Sequence, residues 1–402
     1  MIVSRVERHM IKKSHKMWRV CDELCFESKN LYNYANYIQR QKFIKGERII
    51  KYNDLSQLLN KHETFTSLGS NSSQHTLKML DKVWKSFFIA IKDYSKYPSK
   101  YLGRPKLPTY KDKNGRYVCV LTNLQSQIKD GYLYFAFKPL QPFNNIFRTK
   151  IKGKHMQTRI IPKGSCYVLE VVYETEVPEV LKESKNIVGI DLGLNNLITS
   201  YDPLNNKSFI VNGRPLKSIN QYYNKRKASL MSCIGDKGTS NRIRRMTLKR
   251  ECKINDYMHK SSRFVINYCI KNQIANIVIG NNKDWKQECN MGKRNNQNFV
   301  SIPFEKIISM MQYKAEEYGI NVIITEESYT SKVDHFAGEE MCKHEHYLGK
   351  RVKRGLFKSS TGKIVNADTN GAIGILRKVA DEKFKHLIVS RGNVVSPIRL
   401  NV

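Results

Sequence analysis

Ile187-Val188-Gly189-Ile190-Asp191-Leu192-Gly193 is a short apolar run that ends on a carboxylate and turns at once through Leu-Gly. Such a run reads as a buried strand, so Asp191 stands at a strand end. Far downstream, Asn366-Ala367-Asp368-Thr369-Asn370-Gly371-Ala372 opens a helix-like run and puts Asp368 at a helix start. Both carboxylates are therefore carried on fixed backbone. Phosphodiester hydrolysis by two metal ions needs acidic ligands that converge from different elements, around ions roughly 4 Å apart. Mg²⁺ and Mn²⁺ prefer oxygen ligands and keep some of their waters, so two or three carboxylates are enough. On spacing alone, an Asp before Leu-Gly is equally a turn or capping residue, so the rest of the chain has to decide.

The 402 residues carry 70 Lys+Arg against 35 Asp+Glu, a formal charge of +35, and the pI is about 9.8. Ordinary solubility does not need such an excess. It points to a polyanionic partner, and nucleic acid is the expected one. Hydrophobic residues at 40% argue against wholesale disorder. The length allows two or three domains. No apolar stretch approaches the roughly 20 residues of a transmembrane helix. The start, Met1-Ile2-Val3-Ser4-Arg5, has no apolar signal core. A cytoplasmic protein with no membrane partner is expected. The 9 cysteines are odd in number, widely spaced and without a Cys-x-x-Cys pair, which fits reduced structural thiols better than a disulfide framework or a zinc ribbon.

Around the opening strand the pattern is α/β. Leu197-Ile198-Thr199-Ser200-Tyr201 and Ser208-Phe209-Ile210-Val211 continue it as a meander, turned by Asp202-Pro203. A basic helical stretch over 215–272 follows, with Arg242, Arg244, Arg245, Lys249, Arg250 and Lys253. Such a helix can lie along a nucleic-acid groove, or present a solvated face. Then come a strand at 276–280, a polar amide-rich loop at 285–298, a helix at about 303–318 and a strand at 320–326. Residues 332–363 are basic and irregular, with Lys350, Arg351, Lys353 and Arg354.

Upstream, residues 21–100 read as helical: Leu24, Leu31, Tyr34 and Tyr37, then Leu77, Leu80, Trp84, Phe87 and Phe88, recur at helical spacing and are expected in helix cores. The segment Tyr101–Lys111 mixes prolines, aromatics and cations, so it reads as an extended connector. Arg104, Lys106, Tyr110 and Lys111 there suit a phosphate backbone. Residues 115–175 alternate β-rich runs with turns and suggest a small barrel or sandwich.

The run Val188–Leu197 resembles the first RuvC motif of the TnpB family, transposon-encoded RNA-guided nucleases related to type V CRISPR effectors. Asn366–Ala372 resembles the third such motif, and Tyr329-Thr330-Ser331-Lys332 the stretch before the family's zinc-binding insert. Gly103-Arg104-Pro105-Lys106 and Pro108-Thr109-Tyr110-Lys111 are similar to the family's linker between its helical and barrel parts. The motifs occur in order along nearly the whole chain.

The resemblance implies a multidomain α+β protein. A wedge β-barrel would lie at 1–20 and 109–185, interrupted by a helical recognition domain at 21–108. An RNase H-like (RuvC) α/β nuclease domain would follow at 186–331 and 364–378, with a target-nucleic-acid-binding insert at 332–363 and a C-terminal tail at 379–402. It also implies a transposon-derived guide RNA, a target DNA duplex beside a short adjacent motif, and two Mg²⁺ or Mn²⁺ ions. The guide would pair with one strand while the protein holds the heteroduplex by shape and charge. The setting would be prokaryotic and nucleoid-associated.

The chain departs from the family pattern twice. The insert lacks the four cysteines of a zinc ribbon: His335, Cys342, His344 and His346 are the metal-binding types left, and Cys342-x-His344-x-His346 is too tight for a usual structural zinc site. The second-motif glutamate is missing at Gly280. Glu326 and Glu327 end the neighbouring strand. Adjacent strands lie about 4.8 Å apart, so either acid could reach nearly the same metal. Only one should point there, because side chains alternate faces. A subset of the family resembles this chain in that relocation. Asp284 and Glu288 are weaker candidates in the loop.

The expected ligands are Asp191, Asp368 and one of Glu326 and Glu327. A decayed site would have no reason to keep both aspartates. The alternatives are a nuclease-inactive RNA-guided DNA-binding protein, repressor-like, or a compact CRISPR-associated effector, which genomic neighbourhood distinguishes. A guide-independent, structure-specific nuclease fits less well, since a bare RuvC domain needs no long N-terminal half.

Overall fold

The computed structural model describes residues 2–177, 184–235, 238–282, 292–353, 355–380 and 397–401, with the backbone alone at 293–295. The chain divides into two compact units, Ile2–Glu176 and Val177–Val402.

In the first unit β1 (Ile2–Ile11) precedes the helices α1 (Trp18–Ile44), α2 (Tyr52–Leu59), α3 (Glu63–Thr66) and α4 (Ser70–Lys96). The strands β2 (Cys119–Thr122), β3 (Ser126–Lys129), β4 (Tyr132–Phe135), β5 (Lys154–Lys163) and β6 (Cys166–Glu176) follow. The sheet order is β1-β6-β5-β2, and β3 and β4 form a separate pair. β1 runs antiparallel to β6 from Ile2↔Glu176 to Ile11↔Tyr167, so the strands before and after the helices are neighbours. The barrel expected from the sequence is not what forms: among the described residues this sheet stays open at β1 and β2. The reason lies in what covers it. Leu31, Leu77 and Trp84 of the helices share one core with Leu121, Ile160, Leu169 and Val171 of the sheet. A sheet whose apolar face is buried by helices need not close on itself. Of the helical aromatics, Trp84 is buried and bonds Asn36 Oδ1 at 3.0 Å, whereas Tyr37 is half exposed.

The second unit is built on β7 (Ile187–Leu192), β8 (Asn196–Tyr201), β9 (Phe209–Asn212), α5 (Arg214–Ser232), α6 (Asn241–Lys271), β10 (Asn276–Gly280), α7 (Lys293–Val300), α8 (Phe304–Glu316) and β11 (Asn321–Thr325). It continues with β12 (Lys350–Lys353), β13 (Leu356–Lys358), β14 (Ile364–Asn366), α9 (Ala367–Arg377) and β15 (Ile398–Leu400). The main sheet runs β11-β10-β7-β8-β9-β15, and β12-β13-β14 form a small one. β7, β8 and β9 are an antiparallel meander. β10 lies parallel to both β7 and β11.

The basic stretch expected as one helix is two. Gly235 and Gly238, in the connection between them, take positive φ (54° and 69°), which glycine adopts freely and which a continuous helix does not allow. Ser240 then caps α6 by accepting from the Ile243 amide.

Alternation along β7 fixes the site. Val188, Ile190 and Leu192 enter the core beneath α6 and α8, whereas Ile187 enters the core beneath α9. Successive side chains point to opposite faces, so Gly189 and Asp191 share the α9 face. Gly189 lets that helix come close: a Cβ there would stand 2.5 Å from the Ala372 carbonyl oxygen.

Candidate active site

Three carboxylates reach the α9 face from three elements. Asp191 comes from β7. On β10, Val278 faces α9 while Ile279 faces away, so Gly280 faces α9 again. Ile323 of β11 packs into the α9 core, which puts Thr325 and Glu327 on the same side if the alternation continues past the strand end. Glu326 then falls on the other. The geometry agrees with that count. A Cβ built on Gly280 would lie 2.6 Å from both Cγ and Oε1 of Glu327, and 2.5 Å from Ile375 Cδ1. The Glu327 side chain thus lies across the place where a residue 280 side chain would begin. Glu326 is 70% exposed and ion-pairs with Lys378 at 3.9 Å. Asp284, Glu288 and Arg354 lie outside the described residues.

Asp368 is presented by the first turn of α9. That helix starts where it does because the Asn366 side chain accepts from the Asp368 and Thr369 amides at 3.0 and 3.2 Å, filling two of the four donors a helix start leaves open. Asn196 Nδ2 donates to Asp368 Oδ2 at 2.6 Å, and Arg351 stands 3.9 Å from Oδ1.

The electrostatics are those of crowded acids. The Asp191 carboxyl is pushed well above the usual range, first by burial and then by Glu327 and Asp368, with Arg351 opposing. Glu327 rises from 4.5 to about 7 through burial, with Lys378 opposing. Its Oε1 is buried without a hydrogen-bond partner. A buried charge without a partner is costly, and a cation among these oxygens would relieve it. The arrangement is not a closed ligand cage: among the described residues no three His, Cys, Asp or Glu side chains gather tightly enough to hold an ion. Asp368 is turned toward Asn196 and Arg351 instead.

The strand end carrying Glu327 is tied to α9. Thr330 donates to the Glu327 carbonyl from its amide (3.3 Å) and hydroxyl (2.9 Å). His335 Nε2 donates to the Thr330 carbonyl at 2.7 Å, and Arg377 donates to His335 Nδ1 at 3.0 Å. A carbonyl can only accept and a guanidinium only donate, so the partners fix the His335 tautomer. Burial holds His335 neutral, its pKa lowered to about 4. His335→Ala is expected to destabilise the second unit by about 2–4 kcal/mol, through the cavity and the stranded partners. Urea denaturation reads this, and an unchanged midpoint would remove His335 from the support of the site.

The cations expected on nucleic acid fare differently. Arg104, Lys106, Tyr110, Arg242, Arg245, Lys249, Lys350 and Arg351 are exposed. Lys111 is only partly exposed, with its ammonium 4.6 and 4.7 Å from the rings of Tyr32 and Tyr117. It is drawn in because Asn33 and Asn36 grip the connector, at the backbone of Lys111 and at the Pro108 carbonyl. The zinc candidates are dispersed as well. Cys342 Sγ approaches His344 Nε2 at 3.4 Å, while His335 is engaged with Thr330 and Arg377. The 8 described cysteines are free thiols. Reading the sequence missed Asn196, and it named His335 only as a metal-binding type, not as a support of the site. Asn196 had a signal, as an amide at a strand start just after Asp191; His335 had none beyond its residue type.

Two family models match. Residues 170–286 match OrfB_IS605, a probable transposase. Residues 304–375 match the TNB domain of Cas12f1-like proteins. The first match contains Asp191, the second Glu327, Arg351 and Asp368. Among curated proteins the chain is 24% identical to the TnpB-like protein ORF457 of Acidianus two-tailed virus, over 92% of this chain and 87% of the relative. It is 26% identical to the CRISPR-associated endodeoxyribonuclease Cas12f2 of a Micrarchaeota archaeon, over 64% of this chain and 47% of that relative. Among solved structures it is similar to the mini-RNA-guided endonuclease CRISPR-Cas_phi3 (TM-score 0.43, 11% identity, 98% of this chain and 94% of that one). It is also similar to Cas12f1 in its complex with sgRNA and target DNA (TM-score 0.39, 16% identity, 93% and 98%). Among the described residues no helix is long and apolar enough to cross a membrane.

Proposed function

We propose that this chain, which belongs to the TnpB family, is an RNA-guided DNA endonuclease with one RuvC-type site, in which Asp191, Glu327 and Asp368 are the acidic ligands. One observation carries the ligand set. The Glu327 carboxylate occupies the position over Gly280, on the same sheet face as Asp191. The acid absent from one strand end is thus supplied by the next strand.

The donors fit a hard divalent cation such as Mg²⁺ or Mn²⁺. All are carboxylate oxygens, one is buried and unpartnered, and burial, followed by the charges of Glu327 and Asp368, raises Asp191. Bound there, a pair of divalent ions supplies an activated water and a stabilised leaving oxygen. The protein's own groups do the rest. Asn196 orients Asp368. Arg351, half exposed beside Asp368, offers a cation to the phosphate that approaches. The apolar core beneath α9 keeps Asp191 on rigid backbone. The charge of +35 suits a guide RNA and a DNA target held largely by backbone contacts. A protein of this kind acts on nucleoid DNA.

The test is to sequence the RNA that co-purifies with the protein, then to offer a DNA duplex matched to it in Mg²⁺. Mg²⁺-dependent cleavage of the matched duplex is expected. Target binding without cleavage would instead identify a repressor-like binder, and purification free of RNA would overturn guidance.

A further inference from the structure

We infer that the groove between α5 and α6 is a track for single-stranded DNA running from the carboxylate site. This rests on the proposal that the site cuts DNA. The groove has a volume of about 720 Å³ and is lined by Tyr222, Arg226, Arg242, Arg245, Lys249 and Lys253 together with apolar side chains. Among the described residues no acidic side chain lines it. A sixth cation, Arg250, is committed elsewhere: it donates to Asn220 at 2.7 Å and lies 4.9 Å from the Tyr223 ring.

The groove's position supplies the direction. α5 begins at Arg214, and the preceding Gly213 amide donates to the Asn195 carbonyl at 2.8 Å. Lys217 Nζ donates to Asn195 Oδ1 at 3.4 Å. The next residue, Asn196, holds Asp368. The helix therefore springs from the residues that orient a carboxylate of the site, and the groove opens one residue beyond Lys217, at Ser218. From Ser218 to Leu230 the helix rises about 18 Å at ~1.5 Å per residue, long enough for several nucleotides of a single strand.

Its chemistry selects a single strand. Tyr222 is 66% exposed and offers a ring face within the cationic lining, whereas its neighbour Tyr223 is buried and bonds Thr247. A base stacks on such a ring only when it has left its own duplex stack, and a charged groove with an aromatic platform binds single strands with little sequence preference.

The test uses the full-length protein with its co-purified RNA in EDTA, so that nothing is cut. Fluorescence anisotropy measures its affinity for a short fluorescein-labelled oligothymidylate over a salt series. Replacing Arg242, Arg245 and Lys249 together by serine is expected to weaken binding at least roughly tenfold. It should also reduce the slope of log K against log salt by about 2, at ~0.7 per lost phosphate contact. Tyr222→Ala should weaken binding several-fold with the slope unchanged, and Tyr222→Phe should restore it, since stacking needs the ring and not the hydroxyl. An unchanged slope in the triple variant would overturn the inference. So would a parallel loss of co-purified RNA, which would give the groove to the guide. Because binding is read without cleavage, a protein that binds through the groove but never cuts would refute the endonuclease and leave the track standing.

Discussion

Glu327→Gln is expected to abolish cleavage of a guide-matched target, by on the order of 10³-fold or more, while Glu326→Gln cuts nearly as the parent does. The magnitude follows from the role. Losing a group that merely orients a metal ligand costs roughly 10–100-fold, and losing the ligand itself costs more. The two glutamates are adjacent in sequence, so the contrast isolates direction from charge. Glu326 points out to Lys378, whereas Glu327 lies over Gly280. Equal losses in both variants would refute the assignment. Asp191→Ala should match Glu327→Gln in its loss of cleavage while keeping the bound RNA.

The same substitution carries a stability signature of opposite sign. The folded Glu327 titrates near 7 against an ordinary 4.5. Between those values the folded chain holds a proton that the unfolded chain has released, so stability falls as pH rises through that window. A glutamine has no charge to lose. In EDTA at pH 8, Glu327→Gln should therefore melt higher than the parent, by roughly 2–4 °C for each kcal/mol in a unit of this size. At pH 4.5 the two should melt alike. A variant that is more stable and inactive is expected of a residue kept for function against its own burial cost. Cleavage by the parent should fall on acidification as Glu327 takes up a proton, with a midpoint that moves lower as Mg²⁺ is raised, because cation and proton compete for the carboxylate. A midpoint that ignores the Mg²⁺ concentration would contradict this.

Gly280→Ala is the second large effect. The added methyl would stand 2.5–2.6 Å from Ile375 Cδ1 and from Cγ and Oε1 of Glu327, distances no carbon tolerates. Either Glu327 swings away or β10 shifts against α9. Overpacking of this kind costs about 1–3 kcal/mol. Displacing the carboxylate should lower cleavage by on the order of 10²-fold, since small misplacements of catalytic groups have costs of that size. The more pointed form exchanges the two residues. Gly280→Glu alone would place two acids in one space and should be inactive and less stable. Combined with Glu327→Gly, it returns the acid to the end of β10 with room to lie where Glu327 lay, and part of the cleavage should return. Parental activity in Gly280→Ala, or no gain in the double variant over Gly280→Glu alone, would show that the two positions do not share one place in the site.

The α/β order of the second unit, the two aspartates and the demand for a polyanion were legible because they rest on local signals. An apolar run ending in a carboxylate, an Asn-x-Asp helix start and an excess of cations each declare themselves within a few residues or in composition. Other expectations failed where the deciding partner is distant in sequence. The barrel became an open sheet because helices from elsewhere in the chain cover its face. The half-buried setting of Lys111 was not legible either, because Tyr32, from α1, and Tyr117 flank its ammonium. The long basic helix broke at two glycines that the sequence displayed and that charge patterning concealed.

Gly280 divides the two kinds of knowledge. By itself the sequence determined that an acid is missing at the end of one strand and that two stand at the end of another, because strands and their ends follow from local apolar pattern. It did not decide between Glu326 and Glu327. That depends on which face of β11 meets α9, on Gly280 pairing with Thr325, and on the space a bare glycine leaves. These are properties of packing between elements far apart in the chain, where a single residue of register turns every side chain to the opposite face.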